Sequence, residues 1–303
     1  MPNNFGINQN KVCMKKVNPE QESRKLGTFM NFLTDFAFKK ILGNARLLID
    51  FLNEIVGEEC KVVSLDYLKL EQLGRTDKDR KAVYDIYCKN ERDEYFIIEM
   101  QVGYQKHYID RVLFYSTFPI QSYALKGKWN FQLKSLYCIS ILDFELFDDD
   151  FYLGHLDITK SETQKKATDK LNIIIIELPK FKKTLGQLKT RADGWLYCLK
   201  HLGTLKEQPV ELKDPVFDKL FELARINKLD EDDMEQYRKS VTEYEDVQVC
   251  MADTLELGIE RGMKEGMKKG ILKTAKNGLK EGLPMDILSR ITGLTPEQII
   301  QIR

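Results

Sequence analysis

The chain has 303 residues, 43% of them hydrophobic and 10% aromatic, enough to bury a core in one large domain or two modest ones. Lys plus Arg and Asp plus Glu both number 47, so the net charge is zero and no global basic surface advertises nucleic acid or membrane. Six cysteines (13, 60, 88, 138, 198 and 250) occur singly without a CxxC pair, and the three histidines (107, 155 and 201) lie far from them in sequence, which argues against zinc sites and disulfide frameworks. The stretch MPNNFGINQNKVCMKK lacks a signal-peptide apolar run and no 18-residue apolar window occurs, so the expectation is a cytoplasmic protein with no membrane span.

Residues 1–25 are polar and read as a loose arm. From Leu26 an apolar pattern at three- and four-residue steps (Phe29, Phe32, Leu33, Phe36, Ala37, Ile41) predicts a helix that stops at Gly43. A second helix is expected from Asn44 to Gly57, then a strand within 61–70 and the charged loop GRTDKDRK. VYDIYCKNERDEYFIIEMQ (83–101) predicts a β-hairpin, followed by an amphipathic helix from Gln105 into Phe118 that Pro119 ends or kinks. LKSLYCISIL (133–142) and LNIIIIEL (171–178) read as strands, the second apolar on both faces as in a parallel or central strand. Helices, then strands, a helix and more strands make an α/β core over 26–190, with a helical extension at 191–255.

The last segment, 256–303, differs. Glycines at 258, 262, 266 and 270, and again at 278 and 282, would form a drifting stripe on a helix, at about 1 kcal/mol each relative to alanine. A helix stabilised by partner packing and a mobile linker are both open. In ITGLTPEQIIQIR, Thr295, Pro296 and Gln298 read as N-cap, first turn and capping box. With LPMDILSRITG before it, this makes a shape similar to a helix-turn-helix, and an element for packing or oligomerisation is the competing reading.

The hairpin carries the chemistry. KNERD is its polar turn, and with Arg92 at the centre, residues whose numbers sum to 184 face one another, so Asp85 meets Glu99. Ile97, Glu99 and Gln101 then share one face of the second strand, while Phe96, Ile98 and Met100 share the other. A register one residue off would separate the carboxylates. An ordinary wet face is the plain alternative, but facing carboxylates repel, and a divalent cation such as Mg²⁺ or Mn²⁺ removes that objection.

Asp, a turn, then Glu-x-Lys on the next strand is the signature of the PD-(D/E)XK nuclease superfamily, and this chain has Asp85, then Glu99, Met100 and Gln101. TDFAFKKILG, YDIYC with IIEMQ, DRVLFYSTF, IIELPKF and ITGLTPEQI, in that order, resemble the bacterial recombination-promoting nuclease or transposase (Rpn) family. The likeness runs from about residue 28 to the end.

The resemblance implies a restriction-endonuclease-like mixed sheet flanked by helices, with a helical C-terminal region, and a Mg-dependent (or Mn-dependent) DNA endonuclease tied to recombination or a mobile element. It implies Asp85, Glu99 and the Met100 carbonyl as metal ligands, and Asp35 as the acidic residue of the first helix, for which an N-cap role of Thr34 or Asp35 is the alternative. At 101 the chain has Gln where the superfamily pattern has Lys, and Gln can orient but not supply charge. The metal carries more of the work, a nearby Lys substitutes, or activity is low; in the last case the protein is a catalytically weak, nuclease-fold DNA- or partner-binding protein. Arg111 and Tyr115, four apart on one helix face, together with Lys39, Lys40 and Lys180, are candidate DNA contacts, against the alternative of a solvated face. His107 is a further acid–base candidate, although a lone helical His is more often incidental.

Overall fold

The computed structural model describes residues 26–57, 60–72, 81–122 and 130–302. The expected N-terminal arm and nearly all of the GRTDKDRK loop lie outside these. Two helices come first, α1 (Asp35–Leu42) and α2 (Ala45–Ile55). Strands β1 (Leu65–Tyr67), β2 (Glu71–Gln72), β3 (Ala82–Val83), β4 (Ile86–Asn90) and β5 (Tyr95–Gln101) lead to α3 (Tyr108–Ser122). Then follow β6 (Leu136–Leu142), β7 (Leu153–Leu156), β8 (Thr159–Lys160), β9 (Lys165–Lys166) and β10 (Leu171–Glu177). The rest is helical: α4 (Arg191–His201), α5 (Pro215–Leu223), α6 (Glu231–Lys280), α7 (Met285–Thr292) and α8 (Pro296–Ile300). No helix among the described residues is long and apolar enough to cross a membrane.

Six strands form one mixed sheet in the order β1-β4-β5-β6-β10-β7. β5, β6 and β10 are parallel, while β1, β4 and β7 run antiparallel to their neighbours. The all-apolar run in β10 has the expected reason: Ile174 and Ile176 enter one core, and Ile173 and Ile175 enter the other. The larger core packs α1, α2, α4 and α5 on one sheet face through Phe38, Phe51, Trp195 and Phe221. The smaller core seats α3 on the opposite face through Tyr108 and Val112 against Ile97, Cys138 and Ile175. Helices on both faces of a mixed sheet are the restriction-endonuclease-like α/β architecture.

Three boundaries differ from expectation, each for a physical reason. The first helix begins at Asp35, not Leu26, because the segment before it is extended: Phe29 bridges Arg225, and Met30 N–H donates to the Ala224 carbonyl at 2.8 Å. Its apolar spacing is satisfied by burial of Phe29 and Phe32 in the larger core without any helix. The strand within 61–70 shrinks to the three residues of β1. The third difference is in α3, which starts at Tyr108 and runs past Pro119 to Ser122. Proline lacks the N–H that would bond the carbonyl four residues earlier. That carbonyl, of Tyr115, instead accepts a 2.9 Å hydrogen bond from the buried Tyr84 hydroxyl.

The chain forms two compact units, Met1–Val247 and Gln248–Arg303. Residues 191–237 contribute Trp195, Phe217, Leu220 and Tyr237 to the same core as α1 and α2. Through the glycine-rich stretch α6 is continuous helix. In the second unit, Thr295 and Gln298 form the expected capping box, and Gly293 turns the chain in the left-handed region at φ 70°. A third helical piece, the end of α6, joins α7 and α8. A Cβ at Gly278 would collide with Leu288, and Ala275, Leu288 and Ile299 are all buried, so the end of α6 packs with α7 and α8.

Tyr84→Phe should lower unfolding stability by about 1–2 kcal/mol, because it strands the half-buried Tyr115 carbonyl. Adding Pro119→Ala should recover most of that loss, since an alanine there restores the missing backbone donor. A double-mutant cycle in urea measures the coupling, and additive effects would contradict the assignment.

Candidate active site

The hairpin of β4 and β5 has the expected register: Ile86 faces Ile98, Tyr87 faces Ile97 and Cys88 faces Phe96, each pair summing to 184. Its turn is fixed by Asn90, whose side-chain oxygen accepts from the Arg92 and Glu94 N–H groups, while Asp93 takes the left-handed conformation at φ 57°. Asp85, one residue before β4, therefore comes level with Glu99. The two carboxylates clasp each other's strand: Asp85 N–H donates to Glu99 Oε1 at 3.2 Å, and Met100 N–H donates to Asp85 Oδ2 at 2.9 Å.

The alternation of backbone groups places the Met100 carbonyl as well. Tyr95 N–H and the Gln101 carbonyl bond toward the β6 side, to Ser135 and Asp143. Even-numbered residues of β5 therefore turn both N–H and C=O toward β4. Met100 lies past the last paired residues of β4, so its carbonyl points to the side occupied by Asp85.

Two cations complete the arrangement. Arg111 of α3 reaches Glu99 Oε2 with Nη2 at 3.3 Å, and its Nη1 donates to Gln101 Oε1 at 2.9 Å and to Gln105 Oε1 at 3.3 Å. Its guanidinium carbon lies 4.9 Å from the centre of the Tyr115 ring. On the α1 side, Lys39 Nζ is 4.0 Å from Asp85 Oδ1 and 2.5 Å from Asp35 Oδ1. Burial pushes the Asp85 carboxyl above its ordinary value, opposed by the Met100 N–H and Lys39. Burial and then the charge of Asp85 push Glu99 up to about 8, with Arg111 pulling the other way.

Among the candidates named from sequence, Asp85, Glu99, Met100, Gln101, Arg111 and Tyr115 are neighbours, and Lys39 joins them from α1. Asp35 is exposed at the start of α1 and bonds Lys39, so it lies one side chain removed from Asp85. Thr34 makes no side-chain cap bond; its hydroxyl donates to the Asn31 carbonyl at 2.8 Å. Lys40 pairs with Asp233. Lys180 is a correction: its side chain is 5% exposed and its ammonium bonds Glu177 and Asp149 at 2.9 and 2.8 Å, tying down the loop before β7 instead of facing a phosphate. His107 is exposed, with its Nδ1 3.4 Å from Asp110 Oδ2.

Gln105, Tyr108 and Ser140 were not singled out from sequence. The buried Tyr108 hydroxyl, near that of Ser140, makes no hydrogen bond of normal length among the described residues and lines a small cavity with Glu99 and Arg111. Only the spacing of Gln105 and Tyr108 around the start of α3 could have hinted at them.

Among the described residues no group of three or more His, Cys, Asp or Glu side chains is set to hold a metal. Two carboxylates and the neighbouring main-chain carbonyl, all oxygen, would fit a hard divalent ion that keeps several waters. A family model described as PD-(D/E)XK nuclease family transposase matches residues 32–254. The chain belongs to that family. Comparison with curated proteins and comparison with solved structures each find no match. PD-(D/E)XK nucleases generally use divalent metals, and in this PD-(D/E)XK family member the facing carboxylates fit such an ion.

Because the folded-state Glu99 carboxyl lies above its unfolded value, its contribution to stability is full below about pH 4.5 and is lost as pH rises through about 8. In EDTA the wild-type protein should thus lose about 1–3 kcal/mol of stability between about pH 5 and pH 8. Glu99→Gln should flatten that profile and exceed wild type at the alkaline end. Parallel profiles for the two proteins in denaturant titrations would refute this account.

Proposed function

We propose that this protein is a Mg²⁺- or Mn²⁺-dependent DNA endonuclease that hydrolyses phosphodiester bonds, serving recombination or a mobile element. The observation that carries the reading is the pair Asp85 and Glu99, each accepting an N–H from the other's strand at the end of the interior β4–β5 ladder, with a cation on either side. Asp85, Glu99 and the Met100 carbonyl would hold the ion. A bound ion of this kind lowers the pKa of a coordinated water and stabilises charge on the leaving oxygen.

The remaining work falls to the chain itself. Gln101, where the family pattern has Lys, can accept from or donate to a water but brings no charge. Arg111 offers that charge. Its side chain is aligned by Gln101 and Gln105 and braced against Tyr115, so the guanidinium approaches the carboxylates in one orientation. A guanidinium keeps its proton at any working pH and presents a planar fork of donors, which suits the oxygens of a phosphate gaining charge. Lys39, shared between Asp35 and Asp85, is a second cation at the opposite edge. The polar pair at the start of α1 would thereby act through Lys39, with Asp35 setting its position.

A second reading, a catalytically weak member that binds DNA or a partner, draws its support from Gln101 itself. Plasmid nicking separates the two. With Mg²⁺ present, Asp85→Ala and Glu99→Ala should each reduce nicking at least about 100-fold, and EDTA should abolish it in the wild type. Arg111→Ala should cost more than Arg111→Lys, and Gln101→Lys should preserve or raise the rate. Nicking that survives both carboxylate substitutions rejects the site. Retardation of DNA without nicking in either Mg²⁺ or Mn²⁺ favours the binding reading.

A further inference from the structure

Residues 252–270 of α6 are exposed on every side. A Cβ built on Gly258, Gly262, Gly266 or Gly270 would meet nothing within 4 Å. Glycine is a poor helix former, and an isolated helix in water is marginal even when built from good ones. Four glycines in a helix with no neighbour among the described residues make a structure that calls for a covering partner.

The face to be covered is defined. At about 100° per residue, Leu255, Ile259, Met263 and Met267 fall on one half of the helix together with Gly258, Gly262 and Gly266. Those four apolar side chains are 54–72% exposed. The opposite half carries Glu260, Arg261, Lys264, Glu265 and Lys268. Small residues between large apolar ones let a second backbone come close enough for the methionines to reach over it.

Charge identifies the partner. Residues 243–260 contain six acidic residues and no Lys or Arg, whereas residues 261–280 contain seven Lys or Arg and a single Glu. We propose that a second copy of this chain packs on this face antiparallel, about a two-fold axis near Lys264, so that Gly262 faces Gly266 and Gly258 faces Gly270. The acidic half of each helix then runs alongside the basic half of the other, and the helix dipoles oppose. A parallel pair would set acid against acid and base against base. The two-fold arrangement uses one surface patch twice and closes after two copies.

The full-length chain should sediment as a dimer between about 1 and 100 µM, a range in which specific self-association of this kind is populated. Met263→Glu with Met267→Glu should weaken the dimer at least 100-fold and reduce the helical signal of the tail, while leaving the melting of the first unit unchanged. Orientation has its own measurement. Spin labels at Asp253→Cys should lie roughly 33 Å apart in an antiparallel dimer, from 22 residues of helix rise, whereas a parallel pair would bring them within roughly 15 Å. Raising the salt from 50 to 500 mM should loosen the antiparallel dimer. A chain that stays monomeric at the highest concentration, including one that recruits DNA or another protein onto this helix, overturns the proposal, and so does a short label distance. Nuclease activity plays no part in these readouts.

Discussion

Two carboxylates held opposite each other, poorly hydrated, at the end of the interior strands β4 and β5 are the constraint on which the rest of this molecule turns. Unit charges about 4–5 Å apart repel by about 3–4 kcal/mol in a protein-like dielectric, before any desolvation is counted. The chain does not avoid that repulsion; it builds around it. Each carboxylate accepts an N–H from the other strand, so the pair is locked by the same hydrogen bonds that define the hairpin's end. Lys39 and Arg111 approach from separate helices and offset part of the charge. A structural hairpin would need none of this, because Thr or Asn at 85 and 99 would close the same ladder without repulsion.

The replacement of Lys by Gln at 101 changes where positive charge enters. In the family pattern the cation sits on the strand beside the second carboxylate. Here the strand residue is a neutral amide that accepts from Arg111, so the charge arrives from α3 and the amide aims it. The two cations differ in kind: an ammonium on a strand is a point charge that can lose its proton, whereas a guanidinium keeps its proton and is fixed by plane and fork. In the proposed reaction, proton transfer would then be left to water and the carboxylates, and positioning and electrostatic stabilisation would fall to α3.

Much of this was legible in the sequence because it is local. The hairpin register follows from one polar turn and two alternating strands, and the facing of Asp85 with Glu99 follows from the register. The helix stop at Gly57 and the Thr295–Gln298 capping box are likewise short-range chemistry. What was not legible depends on distant partners. Phe29 and Phe32 recur at helical spacing, yet the strand-like bridge to Arg225, nearly two hundred residues away, decides their conformation. Lys180 looked like a surface cation until Glu177 and Asp149 enclosed it. Arg111 and Tyr115 share a helix face as their spacing predicts, but the reach of Arg111 to Gln101 and Glu99 depends on where the 102–107 connection seats α3. Gly103, in the left-handed region at φ 92°, turns the chain at that connection, and only the folded structure gives the resulting angle.

The site therefore divides into a local and a non-local part, with different consequences. Asp85, Glu99, the Met100 carbonyl, Gln101, Arg111 and Tyr115 come from 31 consecutive residues, so their mutual geometry can be set by one hairpin and one helix. The bond from Tyr84 to the carbonyl that Pro119 leaves open ties the two ends of this stretch together. Lys39 and the burial that raises the carboxyl pKa values come from elsewhere: α1 on one side, β6 and its Ser140 on the other. Changes within 84–119 should thus alter the direction of the ligands and the guanidinium, whereas changes in α1 or β6 should alter how strongly the carboxylates repel and how much a cation gains by joining them. Geometry is encoded locally, and the electrostatic demand for a cation is imposed by the fold around it.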